Sequence, residues 1–391
     1  MVDLRKEIKL SDLKPKRKPK AAGPAATVPA KSRRPRKSEF VGLKVGGSQL
    51  AAAHVINDGG ARLMRVARKP LDAGIVVSGE VRDITALARA LDEFFTEEKL
   101  PRKNVRLGIG TNRVGVRVLE VTGLEDEKQL GNAVAFRAHE ALSIPMDQAV
   151  LDYHLLGTTR SETGEVTHRV ALAAAYREPI DHFVAAFQAA NIELTAIDVE
   201  AFALLRAVAP PRAVIDGEDR SAIVALAVGH DRSTLAISDG EICDFTRVLE
   251  WGGSKLNSAI GRDLGLSTEE AADLKLSVDL RDGDWAADDG GDARVGRARE
   301  AVKKELVNLA RELIASLQFY QSQAGSLAIG EILVTGGTTL MPGFAEELER
   351  LVRARVRPAD PLAAVQVGAP EVAGRSDLPS LSVAIGLGVE V

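Results

Sequence analysis

Three glycine-marked turns carry the residues best suited to chemistry in this chain. The first is "GLKVGGSQL", in which Lys44 precedes Gly46, Gly47 and Ser48. The second, "AVGHDRS", turns at Gly229, and a further glycine pair, Gly252 and Gly253, follows in "EWGGSK". The third, "ILVTGGTTL", carries Gly336, Gly337 and Thr338. Glycine lets a backbone approach a ligand closely and turn its N–H groups toward it, so glycine hairpins facing one another across a cleft suit a polyphosphate. A strand that ends in glycines ahead of a helix N-terminus is another phosphate-binding corner. Lys275, in "EEAADLK", adds an ammonium to the set. Each turn alone is common in α/β proteins. Their order is much less so: hairpin, hairpin, lysine-bearing helix, then strand–Gly–Gly–helix. Beyond these turns the sequence offers no nucleophile, no H-x-x-x-H metal spacing and no G-x-S-x-G or P-loop pattern, so we nominate no catalytic residue and no metal ligand. His139 reads as a surface or half-buried helix residue.

The elements that must position these turns follow from length and periodicity. A chain of 391 residues with 45% hydrophobic content exceeds the size at which a single core stops growing, roughly 250–300 residues, so two or more cored domains are expected. A net charge of −4 and 4% aromatic residues disfavour nucleic acid as a partner of the folded body. Cys243 is the only cysteine, which excludes an intramolecular disulfide and fits a reducing cytosol. No apolar run reaches the ~18–20 residues that span a bilayer, and the N-terminus lacks a signal-peptide centre, so a cytoplasmic protein is expected. Residues 1–38, with "LKPKRKPKAAGPAATVPAKSRRPRKS", are rich in Lys, Arg, Pro and Ala. They read as a disordered basic tail, either simply solvated or a tether to anionic lipid.

From residue 40, strand and helix signals alternate. "FVGLKVGGSQLAAAHVIN" reads as a hairpin turning at Gly46 and Gly47, and "ARLMRVARKPL" as a third strand ending before Pro70. Asp83 caps a helix with Ile84, Leu87, Leu91, Phe94 and Phe95 near one face. Strands at "NVRLGIG" and "GVRVLEV", a helix at "EKQLGNAVAFRAHEAL" and the strand pair "QAVLDYHLLG" and "THRVALAAAYR" follow. Helix, strand and helix then run to the break at Pro210 and Pro211. The second half restarts the same grammar with "AIVALAVGHDRSTLAISDGEICDFTRVLEWGG" as three strands, which points to an internally duplicated α/β fold. "LRDGDWAADDGGDARVG" reads as an exposed loop. After it comes a long helix with a buried stripe of Val302, Leu306, Leu309, Leu313, Leu317 and Tyr320.

With these phrases assembled, the chain from residue 40 onward resembles the actin/Hsp70/FtsA superfamily and, within it, the PilM family of type IV pilus assembly proteins. The phrases that carry the resemblance are "VGLKVGGSQLAAAHV", "PLDAGIVVSGEVRD", "FRAHEALSIPMDQAVLDYHLLG", "AIDVEAFALLRAV", "EEAADLK" and "ILVTGGTTLMPGF". "IPMDQAVLDYHLLG" is the most family-specific. The resemblance implies a duplicated actin-like α/β fold of two domains around a central cleft, with an inserted α+β subdomain. The expected boundaries are 39–215 for the first domain, about 80–172 for the insert, 216–375 for the second domain and 376–391 for a segment returning to the first. It also implies partners: the cytoplasmic N-terminal peptide of a PilN-type inner-membrane protein, held near the insert, with PilO and the assembly motors beyond it. The chain would then lie peripherally at the inner face of the cytoplasmic membrane.

The resemblance further implies ATP and Mg²⁺ in the cleft, held in part by three acids. Here those positions carry Lys44, Ala227 and Ala272. Losing all three removes the usual means of managing a Mg²⁺ hydration shell, and hydrolysis of ATP is not expected. Three states of the cleft stay open: a nucleotide held without metal, with Lys44 pairing a phosphate directly; no nucleotide; and ordinary Mg-ATP. An active actin-like ATPase and an FtsA-like division tether are the competing functions. The first wants the missing acids. The second wants a C-terminal membrane helix, where "SLSVAIGLGVEV" instead reads as a helix packing back on the first domain.

Overall fold

A computed structural model describes residues 37–123, 129–141, 144–161, 164–210, 220–281, 293–323 and 325–390. The basic tail up to residue 36, the polar stretch 211–219 and most of the acidic loop lie outside the described residues.

The first half runs through β1 (Ser38–Val45), β2 (Gln49–Asn57), β3 (Ala61–Pro70), the short pair β4 (Val76–Val77) and β5 (Glu80–Val81), and α1 (Ile84–Glu97). It continues with β6 (Val105–Ile109), β7 (Val114–Thr122), α2 (Leu130–Ala141), β8 (Ala149–Arg160), β9 (Val166–Tyr176), α3 (Arg177–Ala189), β10 (Leu194–Val199) and α4 (Glu200–Val208). Five of these strands form a sheet in the order β10-β6-β1-β2-β3, antiparallel through the hairpins and parallel where β6 joins β1 and β10 joins β6. Strand β2 is buried on both faces. Its two-residue period sends Leu50 and Ala52 into a core with Leu87, Leu91, Phe94 and Phe187, and Ala51, Ala53 and Val55 to the other side. Helix α1 begins where expected, because the Asp83 carboxylate accepts the Ala86 N–H at 2.8 Å.

The second half repeats this plan. It comprises β11 (Ala222–Val228), β12 (Ser233–Ser238), β13 (Cys243–Leu249), α5 (Gly253–Leu264), α6 (Thr268–Lys275), α7 (Ala293–Gln321), β14 (Ile329–Thr335), α8 (Phe344–Val352) and β15 (Val356–Pro358). The sheet order β15-β14-β11-β12-β13 matches β10-β6-β1-β2-β3 strand for strand, with the same antiparallel and parallel pairings. The duplication read from the sequence is therefore present in the topology. Helix α7 buries the whole expected stripe from Val302 to Tyr320. It begins at Ala293, so the last residues of the expected loop, 293–296, are helical.

Strands β7, β9 and β8 form a separate antiparallel sheet covered by α2, through Val121, Leu130, Val134, Ala138 and Leu172. This sheet and its helix run from residue 114 to 176. Strand β6 and helix α1, inside the expected 80–172, belong to the first sheet and its cover. Apolar alternation marks β6 as a strand but does not say which sheet it joins. Strand β16 (Gln366–Val367) pairs in parallel with β3. The final helix, α9 (Ser382–Gly388), then packs on β1, β2, β6 and α4. Small residues permit this, since a Cβ at Gly42 would collide with the Ala384 carbonyl and one at Gly386 with the Ala203 carbonyl. Helices α4 and α9 share a cluster, including Leu204, Val208 and Leu387, with Ala225, Ala227 and Ala236 of the second sheet. Among the described residues no helix is long and apolar enough to cross a membrane.

Candidate functional site

The glycine turns converge on one cleft of about 370 Å³. Its lining takes Lys44, Gly46, Gly47 and Ser48 from the β1–β2 hairpin and Gly229, His230, Asp231 and Arg232 from the β11–β12 hairpin. Gly253 at the start of α5, Lys275 at the end of α6, and Gly336, Gly337 and Thr338 after β14 complete it. Of the nominated residues only Gly252 is outside the lining. It caps α5 immediately behind the cleft, where a side chain would run into the His230 carbonyl.

The turns are laced to one another. The Gly253 N–H donates to the Gly229 carbonyl at 3.0 Å and the Ser254 N–H to the His230 carbonyl at 2.7 Å. Thr338 Oγ1 donates to the Gly229 carbonyl at 2.8 Å, and Lys275 Nζ to the Gly253 carbonyl at 3.3 Å. Gly336, at φ 102°, takes a backbone conformation that favours glycine and lies where a Cβ would strike Val228. Such a set is rigid and rich in backbone dipoles, which suits an extended anion.

The charges around these turns include several the sequence did not flag. Lys44 lies 3.0 Å from Glu200, and the same carboxylate oxygen accepts from Thr234 Oγ1 at 3.0 Å. Glu200 is 4% exposed, the first residue of α4, directly after β10. Nothing marked it beyond an acid at a strand-to-helix junction inside "AIDVEAFALLRAV". Asp231 reaches over Gly47, where a Cβ would meet its carboxylate at 2.9 Å, and stands 3.5 Å from Arg232 Nε. Arg232 crosses to the first half: its guanidinium donates to the Gly110 carbonyl and fills the space beside Gly79. Arg68 also lines the cleft and is paired with Asp377 at 3.1 Å. Burial holds the Lys275 ammonium below the ordinary lysine range. Burial likewise lowers the His230 pKa, against the pull of Asp231 and with a small push from Lys275.

The three positions expected to carry acids are not equivalent. Lys44 and Ala227 line the cleft, whereas Ala272, on α6 one turn before Lys275, does not. Leu276, Val278, Leu340, Met341 and Pro342 add apolar side chains to the lining, with Leu276 81% exposed. Glycine turns together with apolar side chains fit the phosphates and the base of a nucleotide. For Mg²⁺ the donor set fits poorly, since the buried carboxylate is already held by an ammonium.

Paired sheets of identical order, each opening with a glycine hairpin onto a shared cleft, define an actin-like α/β protein. Solved structures agree on that fold. The chain is similar to one described as a PilM-PilN type IV pilus biogenesis complex, at 24% identity over 90% of this chain and 98% of that one, with a TM-score of 0.72. It is similar also to MreB 5 of Spiroplasma citri bound to AMPPNP, at 13% identity over 90% and 95% of the two chains and a TM-score of 0.51. The ethanolamine utilization protein EutJ from Carboxydothermus hydrogenoformans matches at 16% identity over 92% of each chain, with a TM-score of 0.50. The family model described as type IV pilus assembly protein PilM matches residues 42–391, and the chain belongs to that family.

Proposed function

We propose that this chain is a scaffold of the type IV pilus assembly platform, bound peripherally at the cytoplasmic face of the inner membrane through a PilN-type membrane protein whose N-terminal cytoplasmic peptide it holds. PilO and the assembly motors are reached through that partner. The observation that carries this reading is the family match across residues 42–391. The similar PilM-PilN complex supports it.

In this reading the cleft holds a nucleotide as a structural ligand. Glu200 is engaged by Lys44 and Thr234, and so is poorly placed to orient a water for hydrolysis. The test is co-purification of the full chain with a detergent-solubilised PilN-type protein encoded beside it. We expect a stable complex that is lost when the partner's cytoplasmic N-terminal residues are deleted. Retention after that deletion, or no complex with the intact partner, overturns the proposal.

A further inference from the structure

The charges of the cleft are arranged for an anion that arrives without a divalent cation. Mg²⁺ requires near-octahedral oxygen coordination and is usually anchored by one or two carboxylates together with phosphates. The carboxylates lining this cleft are Glu200 and Asp231, and both face cations of the protein: Glu200 has Lys44 at 3.0 Å, and Asp231 has Arg232 at 3.5 Å. Glu200 gives the same oxygen to Thr234. Among the described residues no group of three or more His, Cys, Asp or Glu side chains gathers to hold a metal. An ammonium, not a carboxylate, stands at the end of β1 beside the glycine turn.

The same residues favour a bare anion. Lys44 has three donors and gives one to Glu200, which leaves donors for a phosphate beside Gly46 and Gly47. Lys275 has no carboxylate partner among the described residues, and its ammonium donates to one backbone carbonyl, that of Gly253, at 3.3 Å. A partly buried ammonium without a counter-ion, set among glycine turns, is a site waiting for negative charge. The apolar side chains of Leu276, Leu340 and Met341 in the same lining favour a ligand with a flat base over inorganic phosphate.

We propose that the cleft takes a nucleoside polyphosphate as the free anion, with Lys44 and Lys275 supplying the charge that Mg²⁺ would otherwise bring. This rests on the nucleotide reading of the cleft given above. A consequence is that Mg²⁺ competes for the ligand in solution instead of assisting it, so binding weakens or stays unchanged as the metal is added.

The experiment is a calorimetric titration of the full chain with ATP, ADP and tripolyphosphate, in EDTA and in excess Mg²⁺ at equal ionic strength. We expect ATP to bind at least as tightly in EDTA as in Mg²⁺, and tripolyphosphate to bind more weakly than ATP. Lys275→Met, which gives up one long hydrogen bond to the Gly253 carbonyl, should weaken ATP by about tenfold in EDTA while lowering the melting temperature only slightly. Lys44→Asp, which restores a carboxylate beside Glu200, should lose ATP in EDTA and recover it in Mg²⁺. Wild-type binding that tightens about tenfold or more on adding Mg²⁺ overturns the metal-free proposal and leaves the nucleotide reading standing. No binding of any probe in either buffer overturns both.

Discussion

The Lys44–Glu200 pair gives a prediction whose size can be worked from the structure. Removing one partner of a buried ion pair costs roughly 3–5 kcal/mol, because the remaining charge stays buried without compensation. Glu200 meets that condition at 5% side-chain exposure, but Lys44 retains 22%, and Thr234 still donates to the carboxylate after Lys44 is gone. The cost of Lys44→Met should therefore fall to roughly 2–3 kcal/mol. Glu200→Gln keeps an acceptor for Thr234 and should cost about 1–2 kcal/mol. The double variant should then cost less than the two singles together, with a coupling of about 1–2 kcal/mol. Urea unfolding of the four proteins, followed by circular dichroism, measures this cycle. Single costs that add to within about 0.5 kcal/mol would show that the two side chains are not coupled. The metal argument would then lose its basis.

Three further outcomes follow from features elsewhere in the fold. Asp83→Ala removes the cap of α1 and should destabilise by about 1 kcal/mol in urea, with Asp83→Asn recovering most of the loss. Gly386→Ala forces α9 away from the Ala203 carbonyl and should cost about 1–3 kcal/mol, read as a lower melting temperature. His54 and His230 both have pKa values lowered chiefly by burial. The unfolded chain therefore takes up protons first, so this part of the stability is full above a pH of about 6.5 and is lost as pH falls toward the folded values. The urea midpoint should drop between pH 7.5 and 5.5, and His230→Asn should reduce that drop.

The sequence made much of this fold legible because local and tertiary signals agree. Periods of two and 3.6, the Asp83 cap and the glycine turns each fix a local element, and two similar halves fix the order of the sheets. The stripe of α7 was readable for the same reason. Sheet membership was not, as β6 shows: an apolar strand after a helix pairs with whichever neighbour tertiary packing provides. The site was half legible. Glycines announce a close backbone approach, so ten of the nominated residues fall on the cleft wall. Glu200, Asp231 and Arg232 have no local signature, because their roles arise only when α4 and the second hairpin meet the first across the cleft. Lys44 was noticed as a departure from a pattern. Its partner was visible only in three dimensions.

The central claim, that this PilM-family chain holds the cytoplasmic peptide of a PilN-type protein, is tested most directly by titrating the full chain with that synthetic peptide in a calorimeter. We predict saturable one-to-one binding that a scrambled peptide of the same composition does not show. Absence of binding to the chain, or equal binding of the scrambled peptide, would contradict the account.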